Sequence, residues 1–194
     1  MGAVRQDGPV RALIVIDLQE DFLNPPPLRE QRSAIVRATQ EWTDWARRHD
    51  VPVVEVRTVL PQDKLTWARN MREDDQPVVL EGTHGAELLA ELDLRPDVTV
   101  IKRRDDAFHR TDLLERLHEL EVDELVIAGV VTEACIAMTA ASAYAHDFTV
   151  WIAEGAVTSG DDQAHEAALL WLKEQYRQEV VSPEELESRP GDSA

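Results

Sequence analysis

Six short apolar runs divide the chain. They read "RALIVID" ending at Asp17, "VPVVEVRTV" at 51–59, "DVTVIK" ending at Lys102, "ELVIAGV" at 124–130, "FTVWIAE" at 148–154 and "EVVS" at 179–182. Most are continuous rather than alternating, the pattern of strands covered on both faces. Between them the spacing changes to threes and fours. Residues 33–48 place Ile35, Ala38, Trp42 and Trp45 on one face, and residues 111–120 place Leu113, Leu114, Leu117 and Leu120 on one stripe behind an N-cap at Thr111. Residues 161–177 align Ala164, Ala167, Ala168, Trp171 and Gln175. Strand–helix alternation of this kind predicts an α/β fold: doubly wound and Rossmann-like, with six strands in a mainly parallel sheet and helices on both faces.

Two segments fit neither pattern. Residues 60–77, "LPQDKLTWARNMREDDQP", form a long polar connection with two prolines, the length of a lid or binding loop. Residues 183–194 are acidic and poor in apolar groups, and are expected to form a flexible tail after a single domain at 1–182.

Composition narrows the function. The chain has 194 residues, enough for one domain with a full core. Its net charge of −18 argues against a nucleic-acid surface, which must be basic to neutralise phosphates. An acidic surface favours cationic small molecules by steering, or serves solubility alone. One cysteine excludes an intrachain disulfide. The N-terminus has no signal-peptide pattern and no run approaches membrane-spanning length, so a cytoplasmic protein without membrane contact is expected.

In open α/β sheets, ligands bind outside the carboxyl ends of the strands, where strand order reverses. Asp17 closes the first strand, Lys102 closes the third, and Cys135 lies just beyond the fourth at a helix start. In the order 3-2-1-4-5-6, Asp17 and Cys135 flank the reversal. A carboxylate, an ammonium and a thiol at one crevice make a base, an orienting cation and a nucleophile. With Thr132 as N-cap, Cys135 would lie in the first helical turn, where the dipole and Lys102 favour thiolate.

Three blocks, "ALIVIDLQEDFLNP", "VIKRRDDAFHRTDL" and "LVIAGVVTEACIAMTAASAYAHDFTVWIAEGAVTS", resemble the signature blocks of the isochorismatase-like cysteine hydrolases. That superfamily includes nicotinamidases and N-carbamoylsarcosine amidases, and the resemblance covers about residues 11 to 160. It implies an isochorismatase-like fold and an Asp–Lys–Cys triad at Asp17, Lys102 and Cys135, acting through a thioester. It further implies a cis peptide at Val130–Val131, with the N–H groups of Val131 and Cys135 as oxyanion hole, and a homodimer or larger assembly.

The chain departs from the family in one respect. Nicotinamidases of this family bind a metal through an Asp-x-His pair after the second strand and a further histidine. Here no histidine lies between His49 and His84. No metal or other cofactor is therefore expected, and His84 and His109 read as loop residues. Phe22, Trp67 and Phe108 are the expected substrate-pocket walls. The leading reading is metal-independent cleavage of a small amide, ureido or lactam substrate. The alternatives are an isochorismatase-type vinyl-ether hydrolase using the aspartate, and a non-catalytic partner protein on the same scaffold.

Overall fold

The computed structural model describes residues 8–189. The first seven residues and the last five, the end of the expected tail among them, lie outside the described residues. Six strands, β1 (Arg11–Ile16), β2 (Val53–Thr58), β3 (Val98–Lys102), β4 (Glu124–Val130), β5 (Thr149–Thr158) and β6 (Val180–Val181), form one sheet in the order β3-β2-β1-β4-β5-β6. Every neighbouring pair is parallel.

The continuous apolar runs arise because alternate side chains enter two separate cores. Ala12, Ile14 and Ile16 of β1 face a core that includes Leu113 and Leu117 of α4 (Leu113–Glu119), Ala140 and Ala143 of α5 (Ala137–Ala145) and Leu172 of α6 (Asp162–Tyr176). Leu13 and Val15 face the opposite core, with Ile35, Trp42 and Trp45 of α2 (Leu28–Arg48). Among the described residues no helix is long and apolar enough to cross a membrane.

Several boundaries differ from the pattern. Helix α2 begins at Leu28, directly behind Pro27, rather than near 33. The residue at the α4 N-cap is Asp112, while Thr111 Oγ1 accepts the Leu113 N–H at 3.3 Å. The buried stripe of α6 runs through Ala168 and Leu172, with Leu169 and Tyr176 packed beside it; Trp171, placed inside by the spacing, is 43 % exposed. The tail also needs correction. Ser182 caps α7 (Pro183–Glu187) in a reciprocal capping box with Glu185, and Leu186 is fully buried, so ordered structure continues past 182.

The segment 60–77 holds the short helix α3 (Arg69–Glu73) and is packed down by Trp67, whose ring is buried in a third cluster with Leu60, Val79 and Ala86.

Close approach fixes one glycine beside the crevice. Gly129 has φ +128°, and a Cβ there would lie 1.9 Å from the Ile16 carbonyl oxygen. Only glycine lets β1 and β4 run this close just before they diverge.

Candidate active site

The sheet order lines up four side chains at one edge. Asp17 follows β1, Thr58 ends β2, Lys102 ends β3 and Cys135 follows β4. Thr58 and Lys102 are partners in the β2–β3 register. Because β2 lies between β1 and β3, Thr58 stands between the aspartate and the lysine.

Asp17 turns its backbone to φ +56° as it leaves the strand, and it is 1 % exposed. Its Oδ1 accepts both the Thr58 N–H and the Thr58 hydroxyl at 2.9 Å. Lys102, 1 % exposed, donates three hydrogen bonds from Nζ: to Thr58 Oγ1 at 2.8 Å, to the Arg104 carbonyl at 3.1 Å and to Cys135 Sγ at 3.2 Å. Asp17 Oδ2 lies 2.7 Å from Nζ as an ion pair, closer than any of these three acceptors.

Cys135 sits in a π-helical turn, Thr132–Ile136, that opens α5, and Val131 rather than Thr132 is the N-cap. Thr132 is instead buried, with its hydroxyl 2.8 Å from His165 Nδ1. The peptide bond Val130–Val131 is cis, as the resemblance implied. Of the triad only Cys135 reaches solvent; Asp17 and Lys102 are sealed behind it.

Electrostatics reverse one expectation. Burial pushes the Cys135 thiol well above its ordinary range and Asp17 adds to that, while the Lys102 ammonium pulls the other way and is outweighed. For Lys102, burial works against the charge, but Asp17 and Cys135 together hold the ammonium above its usual range. The Cys135 sulfur thus rests as a thiol beside the Lys102 ammonium rather than as the expected thiolate.

Gln19, Asp105 and Arg104, none of which the sequence pattern singles out, also shape this edge. Gln19, fully buried, donates to the carbonyls of Thr58 at 2.9 Å and Ala86 at 2.8 Å and accepts the Thr58 N–H at 3.0 Å, locking the end of β2. Asp105 places Oδ1 3.9 Å from Cys135 Sγ. The Arg104 guanidinium donates to the carbonyls of Thr66 and, at 3.5 Å, Trp67, tying segment 60–77 to the strand that carries Lys102.

The expected aromatic walls fall in two clusters. Phe22 is half-buried and packs with Trp67 in the third cluster. Phe108 lies in the core under α4 and α5, stacked on Phe148 at 6.1 Å and beside His146 at 5.1 Å. A hollow of about 520 Å³ lined by Trp45, His49 and Glu187 lies at the opposite, amino-terminal end of the strands and contains none of the four aligned residues.

Among the described residues no three His, Cys, Asp or Glu side chains gather as ligands. Beyond β2 the first carboxylate is Asp63, which accepts the Leu65 N–H, and His84 is 74 % exposed and paired with Glu87 at 2.7 Å. These residues do not fit the metal site of nicotinamidases.

With this geometry in place, the relatives are informative. Nicotinamidase 3 of Arabidopsis thaliana is 30% identical over 168 residues, covering 84% of this chain and 80% of its own. The zinc-bound pyrazinamidase of Pyrococcus horikoshii superposes with a TM-score of 0.78 at 28% identity, over 90% of this chain and 99% of that one. An isochorismatase family protein from Desulfovibrio vulgaris gives a TM-score of 0.84 at 24% identity, over 92% and 97% of the two chains, which speaks to the fold. The isochorismatase domain family model matches residues 11–185, almost the whole described chain. The protein therefore belongs to the isochorismatase family of hydrolases.

Proposed function

We propose that the protein is a cysteine amidohydrolase that cleaves a C–N bond in a small amide, ureido or lactam substrate through a thioester, without a metal. One observation carries this reading: Cys135 Sγ lies 3.2 Å from a buried ammonium that is itself paired to a buried carboxylate at 2.7 Å.

The chemistry follows from who holds which proton. Asp17 Oδ2 has an unused lone pair beside a protonated thiol. It takes the thiol proton as sulfur attacks the carbonyl carbon, and Lys102 meets the new thiolate with an N–H already aimed at sulfur. The oxyanion is received by the N–H groups of Val131 and Cys135. Collapse expels the nitrogen, which leaves with the proton from Asp17. The restored carboxylate then deprotonates water, the hydroxide attacks the thioester, and the acid departs as the thiol regains its proton. The active unit needs no ion beyond Lys102.

The vinyl-ether reading uses the aspartate alone and leaves the Lys102–Cys135 contact without a role, so it ranks second. The test is a panel of primary amides, ureas and lactams, with isochorismate beside them, against wild type and Cys135→Ala. Loss of amide turnover in a folded Cys135→Ala protein, with an acyl-enzyme mass trapped in wild type, supports the proposal. Full turnover by Cys135→Ala overturns the thioester route.

A further inference from the structure

We propose that Asp105 is a specificity residue selecting substrates that carry a cationic nitrogen beside the scissile carbonyl; this deepens, and rests on, the amidohydrolase reading. Asp105 is exposed, and its Oδ1 lies 3.9 Å from Cys135 Sγ. Neither Arg103 nor Arg104 forms an ion pair with it, since the Arg104 guanidinium is bound to the carbonyls of Thr66, Trp67 and Arg103. Among the described residues the carboxylate forms no ion pair; it accepts a long contact from the Cys135 thiol and so stands at the nucleophile.

Geometry limits what can meet it. A reacting carbonyl carbon approaches sulfur to about 3–3.5 Å, and a charged N–H donor sits about 2.7–2.9 Å from a carboxylate oxygen. A nitrogen on, or one atom from, the carbonyl carbon can meet both distances at once. Charge then separates the two cases. In the resting site Asp17 and Lys102 cancel, so Asp105 leaves one negative charge. After attack Asp17 is neutral, Lys102 offsets the charge of the tetrahedral intermediate, and Asp105 again leaves one negative charge, now close to the oxyanion. A neutral amide N–H does not offset it; an ammonium or amidinium on the neighbouring carbon does. The overall charge of −18 steers the same class of molecule toward the crevice.

The only cysteine in the chain lets the idea be tested without knowing the substrate. Methanethiosulfonates bearing an ammonium, a methyl or a sulfonate group are reacted with wild type, Asp105→Asn and Asp105→Glu. The expected result is a cationic-over-neutral rate ratio of about ten in wild type, falling to about two in Asp105→Asn and largely restored in Asp105→Glu. A ratio the same in wild type and Asp105→Asn overturns the proposal, because global charge would then be the whole cause. In parallel, a 2-amino amide and its 2-hydroxy isostere are compared for ammonia release. Cleavage of both with equal kcat/KM overturns the selectivity while leaving the amidase reading intact. Cleavage of neither, with the reagent ratio retained, overturns the amidase reading and leaves Asp105 as a cation site.

Discussion

Replacing Cys135 by serine should flatten the alkaline limb of the stability curve. In the unfolded chain the thiol ionises near its ordinary value of 9.0; in the folded protein burial and Asp17 hold it protonated well above that. A group whose folded pKa is raised contributes stability that is full below the unfolded value and is lost as pH climbs through the folded one. For Cys135 the window opens near pH 9. Once the unfolded thiol is ionised and the folded one is not, each pH unit costs about 1.4 kcal/mol. From pH 8 to pH 10 the wild type should therefore lose about 1.4 kcal/mol more than Cys135→Ser, whose hydroxyl does not titrate there. Lys102 adds little to this difference, because its contribution is lost only above its own ordinary value of 10.5. Urea unfolding of both proteins under reducing conditions at the two pH values gives the number. Parallel losses, or a wild type that gains on the variant at pH 10, would mean that the native sulfur is a thiolate and that helix start and cation outweigh burial.

Lys102→Met should cut turnover by about a hundredfold or more, as loss of a transition-state charge partner does, and cost about 3–5 kcal/mol by leaving Asp17 buried without its cation. Iodoacetamide labelling of Cys135 should shift to higher pH, since Lys102 is what pulls the thiol down; an unmoved labelling profile would remove Lys102 from the site. Thr58→Val should cost about 1.5–3 kcal/mol in urea unfolding, because its hydroxyl bridges two buried charges that keep other partners; a change below about 0.5 kcal/mol would make the hydroxyl idle. Activity should survive exhaustive chelation, and a preparation that dies with chelator and recovers with zinc or iron would defeat the metal-free mechanism.

What the sequence disclosed, and what it hid, follows from which signals are one-dimensional. Strand existence and order were legible because a strand covered on both faces must be apolar throughout, and β1 and β4 are. Asp17, Lys102 and Cys135 were legible because each breaks or follows such a run. Thr58 was not: a neutral hydroxyl at a strand end has no signature of its own, although the order 3-2-1-4 already placed the end of β2 between the two charges. Asp105 was hidden inside "KRRDD", which reads as a solvated charge run until the fold turns one carboxylate toward sulfur. The burial of the aromatics was hidden for a related reason. An aromatic near a motif can face the crevice or the core, and Phe108 and Trp67 both went inward, where their burial is worth most. The capping box "SPEE" at 182–185 was a readable helix signal, outweighed by the acidic composition around it.

The lysine position also shows why this row of residues demands its own residue types. Nζ has three protons and four polar neighbours, of which Asp17 Oδ2 is the nearest at 2.7 Å. A single ammonium contact leaves that carboxylate oxygen a second lone pair for the thiol proton. Arginine would bring a planar fork of five donors matched to bidentate carboxylate binding, and would occupy the oxygen that must accept that proton. The N–H aimed at sulfur is weak while sulfur is a thiol, and it becomes charge-assisted once the proton moves to Asp17. The interaction strengthens along the reaction rather than before it, and only interactions of that kind lower the barrier instead of merely tightening binding. On the proposed mechanism, the buried ammonium at Thr58, Arg104 and Cys135 serves the transfer, while Asp105 at the rim selects what enters.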